Sequence, residues 1–235
     1  MRTPTYGLIG RGRAASHMAC YLGLENRRVL QWHRNLEATP RTSLRNADVI
    51  LLAISDDAIE PFLDRHPELR SRPVVHFSGS LLINDVHGLH PLMTFGPEAY
   101  SLEFYRAIPF VTERGGAGFD EIFPGLHNPS WPIDGKDKPF YHALCALAGN
   151  STAILWTKVM RDFESRLGLP RDILRPFLQR TAANSLDQGR DAVTGSLARN
   201  DHGTIARDLD GLTGDPYREV YLALANAFAA EREDS

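Results

Sequence analysis

Two short segments carry residue types suited to acid–base chemistry: His76-Phe77-Ser78-Gly79-Ser80 and Gly88-Leu89-His90-Pro91-Leu92-Met93-Thr94-Phe95-Gly96. Both follow the fourth predicted strand, and ligands of open α/β sheets bind at the C-terminal edge of their strands. An imidazole at that edge, positioned by Pro91, titrates near working pH and can act as general acid or base on a hydroxyl or carbonyl. His90 is the candidate, with Ser78 able to orient it. The competing reading is a structural or surface histidine.

Chemistry at His90 needs a partner group, and the glycine turn at the start of the chain suggests one. Tyr6-Gly7-Leu8-Ile9-Gly10-Arg11-Gly12-Arg13-Ala14-Ala15 sets Gly-x-Gly-x-x-Ala between a predicted strand and a predicted helix. Gly10 allows the tight turn, Gly12 has no side chain to obstruct a pyrophosphate, and Ala15 lets helix and strand pack closely. The helix N-terminus offers free N–H groups and partial positive charge to phosphates. The competing reading is a ligand-free strand-to-helix turn.

The end of the second strand reads Gln31-Trp32-His33-Arg34-Asn35. An NAD site usually has an acid there for the ribose 2′-hydroxyl, and none is present. Arg34, with His33 or Arg13, can instead pair with a 2′-phosphate, because a guanidinium matches phosphate bidentately. NADP is therefore favoured, with NAD possible. Arg11 in the turn, and Ile54 and Ser55 at the end of the third strand, complete the cofactor-binding candidates. Arg34 as a merely solvated charge is the alternative.

The elements that must position these residues follow from the apolar pattern. Strands are predicted at Tyr6–Ile9, Val29–Trp32, Val49–Ile54, Pro73–Phe77 and Ala107–Val111, with a helix over Ala14–Leu22. The third is apolar on both faces, as a central parallel strand must be. Gly115 to Lys138 reads as loop. From Phe140 the chain reads as helical, with breaks at Gly149, at Gly168-Leu169-Pro170 and around Gly189 to Gly203. A last helix, about Tyr217 to Glu231, carries Val220, Leu224 and Phe228 on one face. The expected architecture is α/β: a Rossmann-type doubly wound parallel sheet over 1–131, then a smaller all-helical domain over 137–235.

The 235 residues are 43% hydrophobic and 23% charged, with 29 acids against 26 Lys and Arg. That is an ordinary globular composition without the basic field that gathers nucleic acid or anionic membrane. Cys20 and Cys145 lie far apart in apolar runs and read as buried free thiols. No charged leader precedes an apolar segment, and no apolar run approaches the ~20 residues that span a bilayer. A cytoplasmic protein acting on a small molecule is expected. No spacing suggests a metal site, since His87 and His90 lack surrounding ligands.

The glycine turn, Ala47 to Ile59, His76-Phe77-Ser78-Gly79, His90-Pro91-Leu92, Tyr141-His142-Ala143 and Thr194-Gly195-Ser196-Leu197-Ala198-Arg199-Asn200-Asp201 together resemble one family. It is a family of Rossmann-like proteins with a C-terminal helical domain of unknown function (domain of unknown function 2520). The family has Pro where this chain has Ser196, and Gly where it has Asn200. The resemblance implies a fold similar to 6-phosphogluconate dehydrogenase relatives such as pyrroline-carboxylate and ketopantoate reductases. Locally, Gly88 to Pro97 resembles the catalytic-histidine loop of prephenate dehydrogenases, which places that role on His90 with Ser78 as partner. In two-domain reductases of this type the helical domain closes the cleft and often forms a homodimer. Tyr141, His142, Asn150, Lys158 and Asn184 are then candidates to reach it. Related enzymes place a catalytic Lys and Asn on its first long helix, to which Lys158 and Asn150 correspond. The plainer readings are a Lys158–Asp162 surface pair and Asn150 as a helix cap; His142 reads equally as a core histidine. Arg199 and Asp201 either pair with each other or face the cleft. Together these features point to an NADP-dependent oxidoreductase reducing a C=O or C=N group. The alternatives are a non-catalytic nucleotide-sensing protein or a prephenate dehydrogenase-like enzyme.

Overall fold

The computed structural model describes residues 2–233. Its strands are β1 (Tyr6–Ile9), β2 (Val29–Trp32), β3 (Val49–Leu52), β4 (Val74–His76), β5 (His87–Pro91), β6 (Phe110–Glu113) and β7 (Ser130–Ile133). They form one sheet in the order β2-β1-β3-β4-β5-β6-β7, parallel except where β5 meets β6. The chain crosses from β2 over β1 to β3, so the order reverses between β1 and β3 and opens a crevice at their C-terminal ends. This is the Rossmann-type arrangement expected.

The helices of this part are α1 (Arg13–Leu24), α2 (Pro40–Ser43), α3 (Asp56–Arg65), α4 (Leu102–Ala107) and α5 (Phe119–Ile122). Both faces of the sheet are covered. Tyr6, Leu8, Leu51 and Val75 pack with Met18 and Leu22 of α1. Ile9, Ile50, Leu52 and Val74 pack with Ile59, Phe62 and Leu63 of α3. Each such side chain contributes about 1.5–3 kcal/mol by leaving water. The Tyr6 hydroxyl, fully buried, donates to the Ile122 carbonyl at 3.0 Å, and burial pushes its pKa up to about 12.

Three elements differ from expectation. The fifth strand is His87–Pro91, which Gly88 and two histidines hide from an apolar pattern. The strand expected over 107–111 begins only at Phe110, because Ser101 caps α4 by accepting from the Phe104 N–H at 3.2 Å and Pro109 then forces extended backbone. The segment read as loop holds α5 and β7, an edge strand whose Ser130, Trp131 and Pro132 are exposed. Pro132 is tolerated at such an edge.

The helical half comprises α6 (Lys138–Ala146), a π-helical turn (Leu147–Ser151), α7 (Thr152–Ser165), α8 (Arg175–Gln188), α9 (Gly195–Arg199), α10 (His202–Gly211) and α11 (Tyr217–Glu233). Gly149 does not break the helix there. One glycine costs about 1 kcal/mol in a helix interior, and here a Cβ would meet Thr94 Oγ1 at 3.5 Å. The compact unit holding the sheet runs to Ile154, with the second from Leu155 onward. The sequence ends the nucleotide-binding domain at 131. The unit continues because α6 is tied to the sheet through Lys138 and Tyr141.

In the second unit the Thr194–Asp201 motif is a helix-to-helix joint. Asn200 ends α9 in the left-handed region (φ 55°), a helix-terminating conformation that Gly and, after it, Asn adopt most readily. Asp201 caps α10, its Oδ1 accepting from the Thr204 N–H at 3.0 Å. Val220 and Leu224, which the sequence sets on one face of the last helix, are 39% and 52% exposed. Cys20 and Cys145 are free and half-buried rather than enclosed. No helix among the described residues is long and apolar enough to cross a membrane.

Candidate functional site

The crevice holds a cavity of about 680 Å³. Gly10, Arg11, Gly12 and Arg13 line it from the turn, His33 and Arg34 from the end of β2, and Ile54 and Ser55 from the end of β3. The structure thus brings these cofactor-binding candidates together. Ala15 lies beneath, fully buried, with its methyl 3.4 Å from where a Gly10 Cβ would stand.

The turn is held on both sides. The Gly10 N–H donates to the Trp32 carbonyl at 2.9 Å and the Ala53 N–H to the Ile9 carbonyl at 2.8 Å. Gln31 Nε2 donates to the Gly10 carbonyl at 2.8 Å. Gly10 has φ +129°, and a Cβ there would overlap the Ala53 carbonyl oxygen. Gly12 is extended and a Cβ would meet nothing within 4 Å. That open space lies at the N-terminus of α1, whose first turn has no acid to neutralise it. His33 Nδ1, in the same wall, is buried with no hydrogen-bond partner among the described residues. Open space at Gly12, free helix N–H groups and an orphaned imidazole nitrogen fit a dinucleotide.

The wall also contains residues the sequence reading missed. Asp56, at the start of α3, accepts from Ser78 Oγ at 2.6 Å and from Ser80 Oγ at 3.3 Å. Ser78 Oγ in turn accepts from the Ser80 and Leu81 N–H groups at 3.2 and 3.1 Å. Ser78 is therefore committed to its own loop and does not orient His90. Trp32, Phe62, Arg65 and His66 complete the end of the cavity next to Arg34. No motif marks Arg65; only the topology brings it to the crevice.

His90 lies in β5 rather than in a loop, near the C-terminal end of that strand. Its Nδ1 is 2.7 Å from the Tyr141 hydroxyl of α6. A Cβ on Gly79, next to cavity-lining Ser78, would stand 3.1 Å from His90 Nε2 and 2.7 Å from His142 Cδ2. Burial first, then His142 and Lys138, push the His90 pKa down to about 4. Burial raises Tyr141. At neutral pH this is a neutral imidazole against a neutral phenol.

Beside it runs a polar row that α6 covers. His76, Gly88 and Glu113 stand side by side on β4, β5 and β6. Because Gly88 has no side chain, the Glu113 carboxylate and the Lys138 ammonium occupy its place, 2.5 Å apart and both nearly buried. His76 is fully buried; its Nδ1 accepts from the Ser78 N–H at 3.2 Å, so Nε2 carries the proton and faces Glu113 at 3.9 Å. Burial and then Lys138 push its pKa down to about 4. The histidine inside Val74-Val75-His76-Phe77 was the one sequence signal for this row.

Both histidines have a folded pKa below the unfolded value of 6.5. Their neutral forms favour the fold fully above about pH 6.5, and that contribution is lost as pH falls towards about 4. The urea midpoint is expected to hold steady at neutral pH and to drop steeply below about pH 6. A His90→Ala variant shows a shallower drop. A midpoint unchanged down to about pH 4.5 contradicts the assignment.

Asn150 is exposed in the π-helical turn and caps nothing, since the helix continues through it. Lys158 belongs to the second unit and is nearly buried rather than a solvated surface residue. Its ammonium pairs with Asp162, as the sequence suggested, and with Asp215 at 2.6 Å, and it lies over the Tyr217 ring. The two carboxylates raise its pKa, which suits an ion-pair staple between α7 and the start of α11.

Residues 113–228 match the family described as Domain of unknown function (DUF2520). No curated protein matches the sequence significantly. Among solved structures, a protein from Bacteroides fragilis described as a candidate NADP oxidoreductase aligns over 96% of this chain and 98% of its own, at 20% identity and TM-score 0.78. The imine reductase of Myxococcus stipitatus in complex with NADP+ aligns over 98% and 93%, at 15% identity and TM-score 0.64. Pyrroline carboxylate reductase of Plasmodium falciparum with NADP bound aligns over 97% of both chains, at 15% identity and TM-score 0.59. The Rossmann-type fold followed by helices is common to all of them.

Proposed function

We propose that this chain, a Rossmann-type protein carrying the domain of unknown function 2520, is an NADP-dependent reductase of a C=O or C=N group in a small molecule. The observation that carries the reading is the cavity at the β1/β3 switch point, glycine turn at its base, with the His90–Tyr141 pair beside the same loop. The candidate NADP oxidoreductase and NADP-bound reductases among its structural neighbours support it. When bound, the reduced nicotinamide would supply a hydride to the electron-poor carbon, and the proton that completes the reduction at the oxygen or nitrogen would come from solvent water.

The chain's own residues supply the rest. The α1 N-terminus and Gly12 receive the pyrophosphate. The arginines at the cavity wall select the phosphorylated ribose. With Tyr141 donating to Nδ1, His90 presents an Nε2–H that polarises the reacting oxygen or nitrogen as a neutral imidazole. A neutral histidine is an effective electrophile where burial keeps it from charging. His90 is thus a hydrogen-bond donor to developing charge, and it needs no imidazolium form.

The test follows NADPH oxidation against a panel of small ketones, keto acids and cyclic imines. With a substrate in hand, His90→Ala is expected to lower kcat about 100-fold or more, the usual cost of one such donor, with KM changed little. Tyr141→Phe is expected to cost about 10-fold by freeing the ring. The kcat profile shows no His90-dependent limb between about pH 5 and 8, because that group titrates near 4. Tight NADPH binding without turnover across the panel overturns the catalytic reading, and a profile with a limb near 6.5 that vanishes in His90→Ala overturns the neutral-imidazole role.

A further inference from the structure

Four arginines, Arg11, Arg13, Arg34 and Arg65, line the cavity against one carboxylate, Asp56. All four side chains are exposed to the crevice or to solvent, and none of the four has a carboxylate partner among the described residues. Their positions fall into two sets. Arg11 and Arg13 sit in the glycine turn, where the pyrophosphate of a dinucleotide lies. Arg34 follows β2, and Arg65 ends α3 beside Trp32, Phe62 and His66. Two separated pairs of unpaired cations fit two separated anions.

We infer that Arg65 is the second arm of a 2′-phosphate clamp, acting with Arg34 to set the preference for NADP over NAD. The inference rests on the dinucleotide reading above and adds a specificity residue from a different element. The geometry favours this use. Arg65 Nε donates to the Pro61 carbonyl at 3.0 Å, which anchors the guanidinium on its own helix and leaves its two terminal nitrogens free of hydrogen-bond partners among the described residues. Trp32 is fixed by its Nε1 donating to the Ala38 carbonyl at 2.7 Å. With Phe62 and His66 it makes an aromatic surface, Phe62 and His66 4.7 Å apart between ring centres, against which an adenine can lie. A phosphate on the adjoining ribose then falls between the two cationic side chains. The other use of a cation at this position is to complement the C-terminal dipole of α3, which affects stability and not ligand choice.

The experiment separates these uses. Wild type, Arg34→Ala, Arg65→Ala and Arg65→Lys are titrated calorimetrically with NADPH, NADH, 2′,5′-ADP and 5′-AMP, with melting temperatures measured in parallel. Arg65→Ala is expected to weaken NADPH and 2′,5′-ADP by about 10-fold or more, as loss of a charge-assisted phosphate contact does. NADH and 5′-AMP change less than about 2-fold, and Arg65→Lys recovers only part of the loss because it lacks the fork. Arg65 is exposed, so its variants fold. Equal loss of NADPH and NADH in Arg65→Ala overturns the clamp, as does an unchanged affinity with a lowered melting temperature. Failure of the wild type to bind NADPH and NADH alike overturns the dinucleotide reading itself.

Discussion

A Gly12→Val variant is expected to fold with wild-type stability and to lose dinucleotide binding by about 100-fold or more, a difference of roughly 3 kcal/mol. The backbone at Gly12 is extended, which any residue adopts, and the position of a Cβ is empty to 4 Å. The fold therefore has no use for glycine there. Only a ligand brought against the helix N-terminus does, because a side chain would hold the pyrophosphate away from the N–H groups. Gly10 is the opposite case. Its φ of +129° and the Ala53 carbonyl leave no room for a Cβ, so Gly10→Ala strains the turn itself by several kcal/mol and is expected to unfold the nucleotide-binding unit. Circular dichroism melts and NADPH titration of the two variants side by side check the pair. Gly12→Val that binds normally removes the turn from the ligand site.

Lys138→Met is expected to destabilise the first unit by about 3–5 kcal/mol, the usual cost of leaving one member of a buried ion pair without its partner. Glu113 would face His76 and the space over Gly88 with no cation, in a place nearly closed to solvent. Lys138→Met with Glu113→Leu restores much of the loss, since an apolar pair of similar volume often replaces a buried ion pair at little cost. Urea unfolding of the two singles and the double measures the coupling. Single and double variants equally unstable would show that the charges are not what holds α6 to the sheet.

The first three strands, the turn and the α1 helix were legible because each leaves a local mark: an apolar run, a glycine, a small residue at a close approach. His90 stands out in the sequence by its place after the fourth strand, but the strand it belongs to and the side chain it meets do not. Ser78 is adjacent to the right edge in sequence, yet its hydroxyl is already engaged by Asp56 and two N–H groups. The actual partner, Tyr141, comes from a helix more than fifty residues away, and no short-range pattern connects them. The same holds for Arg65 and Lys138. A lone charge at a helix end reads as solvated surface until the topology sets it against a crevice or a gap, and β5 itself was hidden because Gly88 and its histidines break the alternation that marks a strand. Lys158 was correctly paired with Asp162, but its burial depends on Asp215, which lies a whole helical subassembly further along the chain.

The cavity wall is electrically lopsided: its arginines face one carboxylate, and that carboxylate is bound up with two serines. A field of this kind acts before contact, drawing a polyphosphate inwards over about one Debye length, some 8 Å at physiological ionic strength. For the dinucleotide proposed above, the phosphorylated portions would be captured first and the reduced ring would arrive last, as a tethered group. Encounter would then be fast and weakened by salt, while the dwell time would depend on the slower fit of the ring. Recognition and reaction readiness would become two successive kinetic events in one crevice.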